Sequence, residues 1–70
     1  MPAPKVHFIN YLKQKAESER DKALGSLGLL LDKSVGIGDH STEDFYKNLD
    51  EALDALVDAE DRLEVLSKYF

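Results

Sequence analysis

The sequence predicts an all-α fold, an antiparallel two-helix hairpin with helices at about 5–33 and 42–70, making one domain over residues 1–70. Three observations predict it. Apolar residues recur every seven positions in both halves of the chain, a glycine-bracketed stretch, SVGIGDHSTEDF, interrupts them, and the two sets of repeats become complementary when the chain is folded back at that stretch.

In chain order, Pro2 and Pro4 hold the first residues extended, and no further proline follows. The first helix, from about Lys5 to Lys33, is rather polar, but Ile9, Ala16, Ala23 and Leu30 keep the seven-residue spacing. Gly25 and Gly28 lie inside it, each costing roughly 1 kcal/mol against alanine, which implies either a close neighbouring helix or a kink. In the interruption, Gly36 is suited to end the first helix in the left-handed conformation, Ile37 to cover the top of the hairpin, and Gly38 to turn the chain toward the caps Ser41 and Thr42. Glu43 and Asp44 then favour the positive end of the second helix dipole. That helix carries two heptad columns, Leu49, Leu56, Leu63 and Phe70 with Phe45, Ala52, Ala59 and Leu66.

Folding one helix onto the other pairs Ile9 with Leu66, Ala16 with Ala59, Ala23 with Ala52 and Leu30 with Phe45; the residue numbers of every pair add up to 75. Large side chains meet at both ends and alanines in the middle, so the helices are expected to approach closely at their centres. Leu24, Leu29, Leu31, Leu53 and Val57 do not all fit this seam. That surplus, in a chain too short for a sizeable core and without cysteine for disulfides or thiolate ligands, predicts a homo-oligomer, a dimer or tetramer most simply built as a four-helix bundle.

Composition excludes several functions. A net charge of −5 disfavours generic binding to a nucleic-acid backbone, which requires many phosphate-neutralising cations. No apolar run approaches the roughly 20 residues of a membrane span, and MPAPKVHF lacks an apolar signal core, so a soluble, cytoplasmic protein is expected. DHS at 39–41 holds the letters of a triad, but adjacent residues rarely converge on one atom, and no enzyme is expected. His40 with Glu43 or Asp44 has a spacing suited to a metal; helix capping explains the same letters, and neither metal nor cofactor is expected.

Two candidate sites remain. Gly36, Gly38, Asp39, His40 and Ser41 precede a helix start and resemble loosely a phosphate-cradling loop, although Asp39, Glu43 and Asp44 would repel the anion and no P-loop lysine follows. The opposite end of the hairpin, residues 1–15 with 62–70, carries Lys5, Lys13, Lys15, Arg62 and Lys68 against Glu64 alone, a side-chain charge of +4 that leaves −9 on the remainder. Phe8, Tyr11, Tyr69 and Phe70, four of the six aromatics, gather there with His7. Cations beside aromatic faces are what a nucleobase and its phosphates require, and Lys5, His7, Tyr11, Lys68 and Tyr69 are the expected ligand-binding residues. The structural alternative is that the aromatics close off a bundle end while the lysines answer acidic residues of a partner helix.

SVGIGDH followed by AEDRLEVLSKYF resembles short helical-hairpin proteins of tailed bacteriophages, in which a Gly-Ile-Gly-acidic-His turn precedes an AED-L-VL-YF ending. The resemblance covers roughly the last half of the chain. It implies no catalytic activity, and it places the chain in the host cytoplasm. Phages also make small oligomeric helical proteins that sequester the cyclic nucleotides of host defence, and a nucleotide sponge of this type is one expectation. A protein-interaction module, an inhibitor, scaffold or virion accessory docking a helical face on a host or phage protein, is the other.

Overall fold

The computed structural model describes residues 4–32 and 42–70 as two helices, α1 (Pro4–Asp32) and α2 (Thr42–Tyr69), packed along each other as a hairpin. The expectations for Gly36, Ile37, Gly38, Asp39, His40 and Ser41 fall outside the described residues. The rod measures 57 × 18 × 13 Å, with a radius of gyration of 16.3 Å, against about 11 Å for a compact domain of this length.

The helices start and stop within a residue or so of the sequence expectation, but they are specified differently. In α2, Glu43 and Asp44 occupy the first turn and Lys68 the last, so charge complements the dipole at both ends. By contrast, α1 opens on Pro4, whose missing N–H costs nothing in a first turn, and has neither acidic residues in its first turn nor basic ones in its last. It runs uninterrupted through Gly25 and Gly28, and a Cβ at either glycine would meet nothing within 4 Å. Neither glycine therefore admits a close neighbour within the chain. The stability of α1 must come chiefly from packing on α2.

That packing follows the predicted seam. The buried residues among those described are Ala16, Ala23, Ala52 and Ala59, with Ala16 at 1% and Ala59 at 0% exposure. A methyl group cannot be covered so completely by its own helix, so the opposite backbone must lie close at this level. Ile9, Leu30, Phe45 and Leu66, the large partners toward either end, are half-buried, as are Leu49, Leu56 and Leu63 of the second column. Phe70 departs from the expectation. It lies just past α2 and is 68% exposed, although its N–H still donates to the Leu66 carbonyl at 3.0 Å. At the very end of the rod its ring lines a groove with Ile9 and Lys13 of α1 yet stays mostly in solvent.

Antiparallel packing divides the rod into two broad faces, and the grooves flanking the seam show which residues share each. Along one face, Glu19, Lys22, Ser26 and Leu29 of α1 and Asn48, Glu51 and Ala55 of α2 line an open groove of about 560 Å³. Along the other, Lys13, Glu17 and Arg20 of α1 and Leu63 and Ser67 of α2, with Phe70 just beyond it, line one of about 430 Å³. Positions seven apart on a helix stay within about 20° of one another, so each groove can be extended along its face in steps of seven. No helix among the described residues is long and apolar enough to cross a membrane.

Candidate functional site

The end of the rod far from the connection between the helices is built from the first two turns of α1 and the last two of α2. Phe8, Tyr11, Tyr69 and Phe70 are there between 60% and 68% exposed. Within one chain these aromatic rings are uncovered. They stand in solvent among cations.

Steps of seven assign these residues to faces. From Glu19 and Lys22, lining the larger groove, the columns lead back to Leu12 and Lys5 and to Lys15 and Phe8; from Ala55 and Glu51 they lead forward to Arg62 and Tyr69 and to Asp58 and Val65. One face of the open end thus carries Lys5, Phe8, Leu12, Lys15, Arg62, Val65 and Tyr69. Two of the five residues expected to bind ligand, Lys5 and Tyr69, belong to it directly. Lys68 leaves α2 from its outer flank, yet its ammonium lies 5.3 Å from the centroid of the Tyr69 ring and so joins the same cluster. Tyr11, two residues past Ile9 of the seam, likewise leaves α1 from its outer flank, on the side of this face. His7, two residues before Ile9 of the seam, falls on the outer flank of α1 toward the other face, and its position does not join it to the others.

The cations of this face are not equivalent. Arg62 is engaged by Asp58 at 3.3 Å and by Glu19 of the opposite helix at 3.9 Å, which neutralises it and ties α2 to α1. Lys5 and Lys15 make no ion pair with the described residues, so their charge remains available to an anion. The site reachable from one chain is therefore two or three lysines around two exposed rings, Phe8 and Tyr69. Sequence reasoning passed over Phe8 and Lys15 as ligand contacts. The signal that would have found them is the heptad phase they share with Lys22, read together with the side of the seam on which Tyr69 falls. Among the described residues no three histidine, aspartate or glutamate side chains come together as a metal site.

The fold and this end define a two-helix hairpin with open grooves along its seam and exposed cations beside aromatic rings at one end. No family model, curated protein or solved structure matches the chain.

Proposed function

We propose that the chain is a non-enzymatic binding protein that works as an oligomer and sequesters a small anionic ligand of the cyclic nucleotide type, in the manner of the phage sponges. The observation that carries this reading is the exposed face of Lys5, Phe8, Lys15 and Tyr69, with Lys68 lying over Tyr69. Rings give a base a surface to stack on, the tyrosine hydroxyl can bond its edge, and ammonium groups pair with phosphate. Ligand sites enclose most of a small molecule, whereas both grooves beside the seam are open to solvent. A second subunit would supply the missing wall, which is why the reading includes an oligomer.

Calorimetry with a panel of cyclic di- and trinucleotides tests it. One of them should bind, with affinity falling as salt rises because the cations are exposed. Lys5→Ala combined with Lys68→Ala should abolish binding and leave the melting curve nearly unchanged. If no member of the panel binds, the reading fails. Binding that survives the lysine substitutions but is lost with Gly38→Ala or His40→Ala moves the site to the connection between the helices.

A second reading, a protein-interaction module, is favoured by the exposed apolar side chains along the rod, among them Leu12, Leu29 and Val65. A helical face of that kind suits a groove or helix of another protein. A pull-down that retains one specific protein while the nucleotide panel stays silent would select it.

A further inference from the structure

We propose that the aromatic face is a two-fold interface with an inverted second copy of this chain, which lays the Phe8 and Tyr69 end of each copy over the larger groove of the other. Charge identifies the occupant. Of the charged residues on this face, reached from the groove lining in steps of seven, Lys5, Lys15, Arg62 and Asp58 lie in the open-end half, a charge of +2. Lys22, Glu19, Glu51 and Asp44 lie in the half toward the connection, a charge of −2. An unrelated partner would have to present the reverse pattern by chance, whereas an inverted copy supplies it by symmetry.

The register can be read from the sequence as the seam was. A two-fold axis crossing the rod sets α1 against the partner's α1 and α2 against its α2, so opposed residues in each helix have numbers with a constant sum. In α1 a sum of 34 opposes Lys15 to Glu19, Phe8 to the small Ser26, and Leu12 and Leu29 to the long stems of Lys22 and Lys5. In α2 a sum of 113 opposes Arg62 to Glu51, the Tyr69 hydroxyl to the Asp44 carboxylate, and Val65 to Asn48. No like charges meet. The two sums put the axis at the same height on the rod to within about 2 Å, as one rigid hairpin requires. A copy pointing the same way would instead bring Lys15 toward Arg62 and Glu19 toward Asp58, like against like.

This pairing completes the site. Phe8 and Tyr69, 67% and 66% exposed in one chain, come to lie over the partner's groove of about 560 Å³, where Lys22, Ser26 and Asn48 add a cation and two polar groups to Lys5 and Lys15. Each copy gives one end and one groove, so a dimer holds two equivalent sites. The interface stands without a ligand; the shared site rests on the nucleotide reading above.

Light scattering on the full chain at tens of micromolar should give a dimer or a multiple of it. Lys15→Glu should weaken association at least about tenfold, and adding Glu19→Lys, which swaps the charges across the axis, should restore it. Lys13→Glu, on the opposite face, should leave association unchanged. The chain has no cysteine, so Phe8→Cys and Ser26→Cys chains can be mixed and joined with a short bis-maleimide, and the mixed product should exceed both like-with-like products. A wild-type monomer, an excess of like-with-like products, or a charge swap that fails to restore association overturns the pairing. Lys22→Ala, about 20 Å along the helix from Phe8, should weaken the cyclic nucleotide found by calorimetry about tenfold while the mass stays unchanged; unaltered affinity overturns the shared site. A dimer that gives the mixed product and binds no nucleotide upholds the pairing and refutes the ligand reading.

Discussion

The two broad faces of the hairpin share one seam and distribute their side chains differently. On the aromatic face, Phe8, Leu12, Val65 and Tyr69 stand at the open end among lysines, and toward the connection the surface turns polar with Lys22, Ser26, Asn48 and Glu51. On the opposite, leucine-bearing face, charge sits at the open end, where Lys13, Glu17 and Arg20 accompany Phe70, and Leu24, Leu31 and Leu53 lie in the other half. A two-helix chain consumes only four alanines in full burial, so most of its large apolar side chains remain for other contacts, and the company they keep distinguishes those contacts. Leucines without neighbouring charge suit any apolar surface; aromatic rings ringed by lysines suit an anion with a flat apolar part.

The largest disturbance of this arrangement should come from the seam that holds both faces in place. Ala16→Leu or Ala59→Leu forces a bulky side chain between backbones packed at alanine distance and should destabilise the protein by about 1–3 kcal/mol, read from denaturant or thermal melting. Unchanged melting would mean that the two alanines do not face each other's helices closely. Next, Phe8→Ala should weaken nucleotide binding by about 1–3 kcal/mol, the usual worth of a stacked base, while barely moving the melting curve, because the ring is 67% exposed. Calorimetry showing no difference would remove Phe8 from the aromatic face's ligand contacts.

Smaller effects sharpen the comparison. Gly25→Ala and Gly28→Ala should each raise stability by roughly 0.5–1 kcal/mol, since both positions are helical and the added methyl meets nothing in the chain. A fall in stability instead would place another subunit against the outer flank of α1 and count against the aromatic face as the closest contact. The smallest change is expected at Arg62. Its pairs with Asp58 and Glu19 are about half exposed, and Arg62→Ala should cost no more than about 1 kcal/mol, as solvent-screened pairs do. A larger loss in a chemical melt would show that the arginine stem packs on α1 as well as pairing with it.

Much of the fold was legible because α2 states its own structure. It has an acidic first turn, a basic last turn and two unbroken heptad columns, and folding it back onto the weaker repeat of α1 singled out the alanines that prove buried. The candidate site was legible only in part. Charge and aromatic content located the end of the rod where cations and exposed rings gather, but which of them share a face depends on angle about the helix, and one residue shifts that angle by about 100°. Lys5 and Tyr69 share a face, whereas His7, two positions from Lys5, falls on the outer flank. Phe70 fitted the heptad, but just past the end of α2 its ring only edges a groove beside Ile9 and Lys13 and remains exposed. The leucine face was visible as a surplus; assigning its members to one side needed the grooves.

The hairpin topology orders how the protein closes. Leu30 and Phe45 are separated by 15 residues and Ile9 and Leu66 by 57, so the pairs next to the connection are local contacts and those at the open end the most distant in the chain. Closing the longer loop in one step costs only about 1 kcal/mol more, but a chain that grows contact by contact from the connection reaches the aromatic end last. The same end should open first, and amide exchange should be fastest in the outermost turns of α1 and α2 and slowest beside the alanines. A ligand gripping Lys5, Phe8 and Tyr69 would bridge the two helices where they part most easily and act as a clasp. Its binding would appear as slowed exchange at the helix ends, far from any change at the middle of the rod.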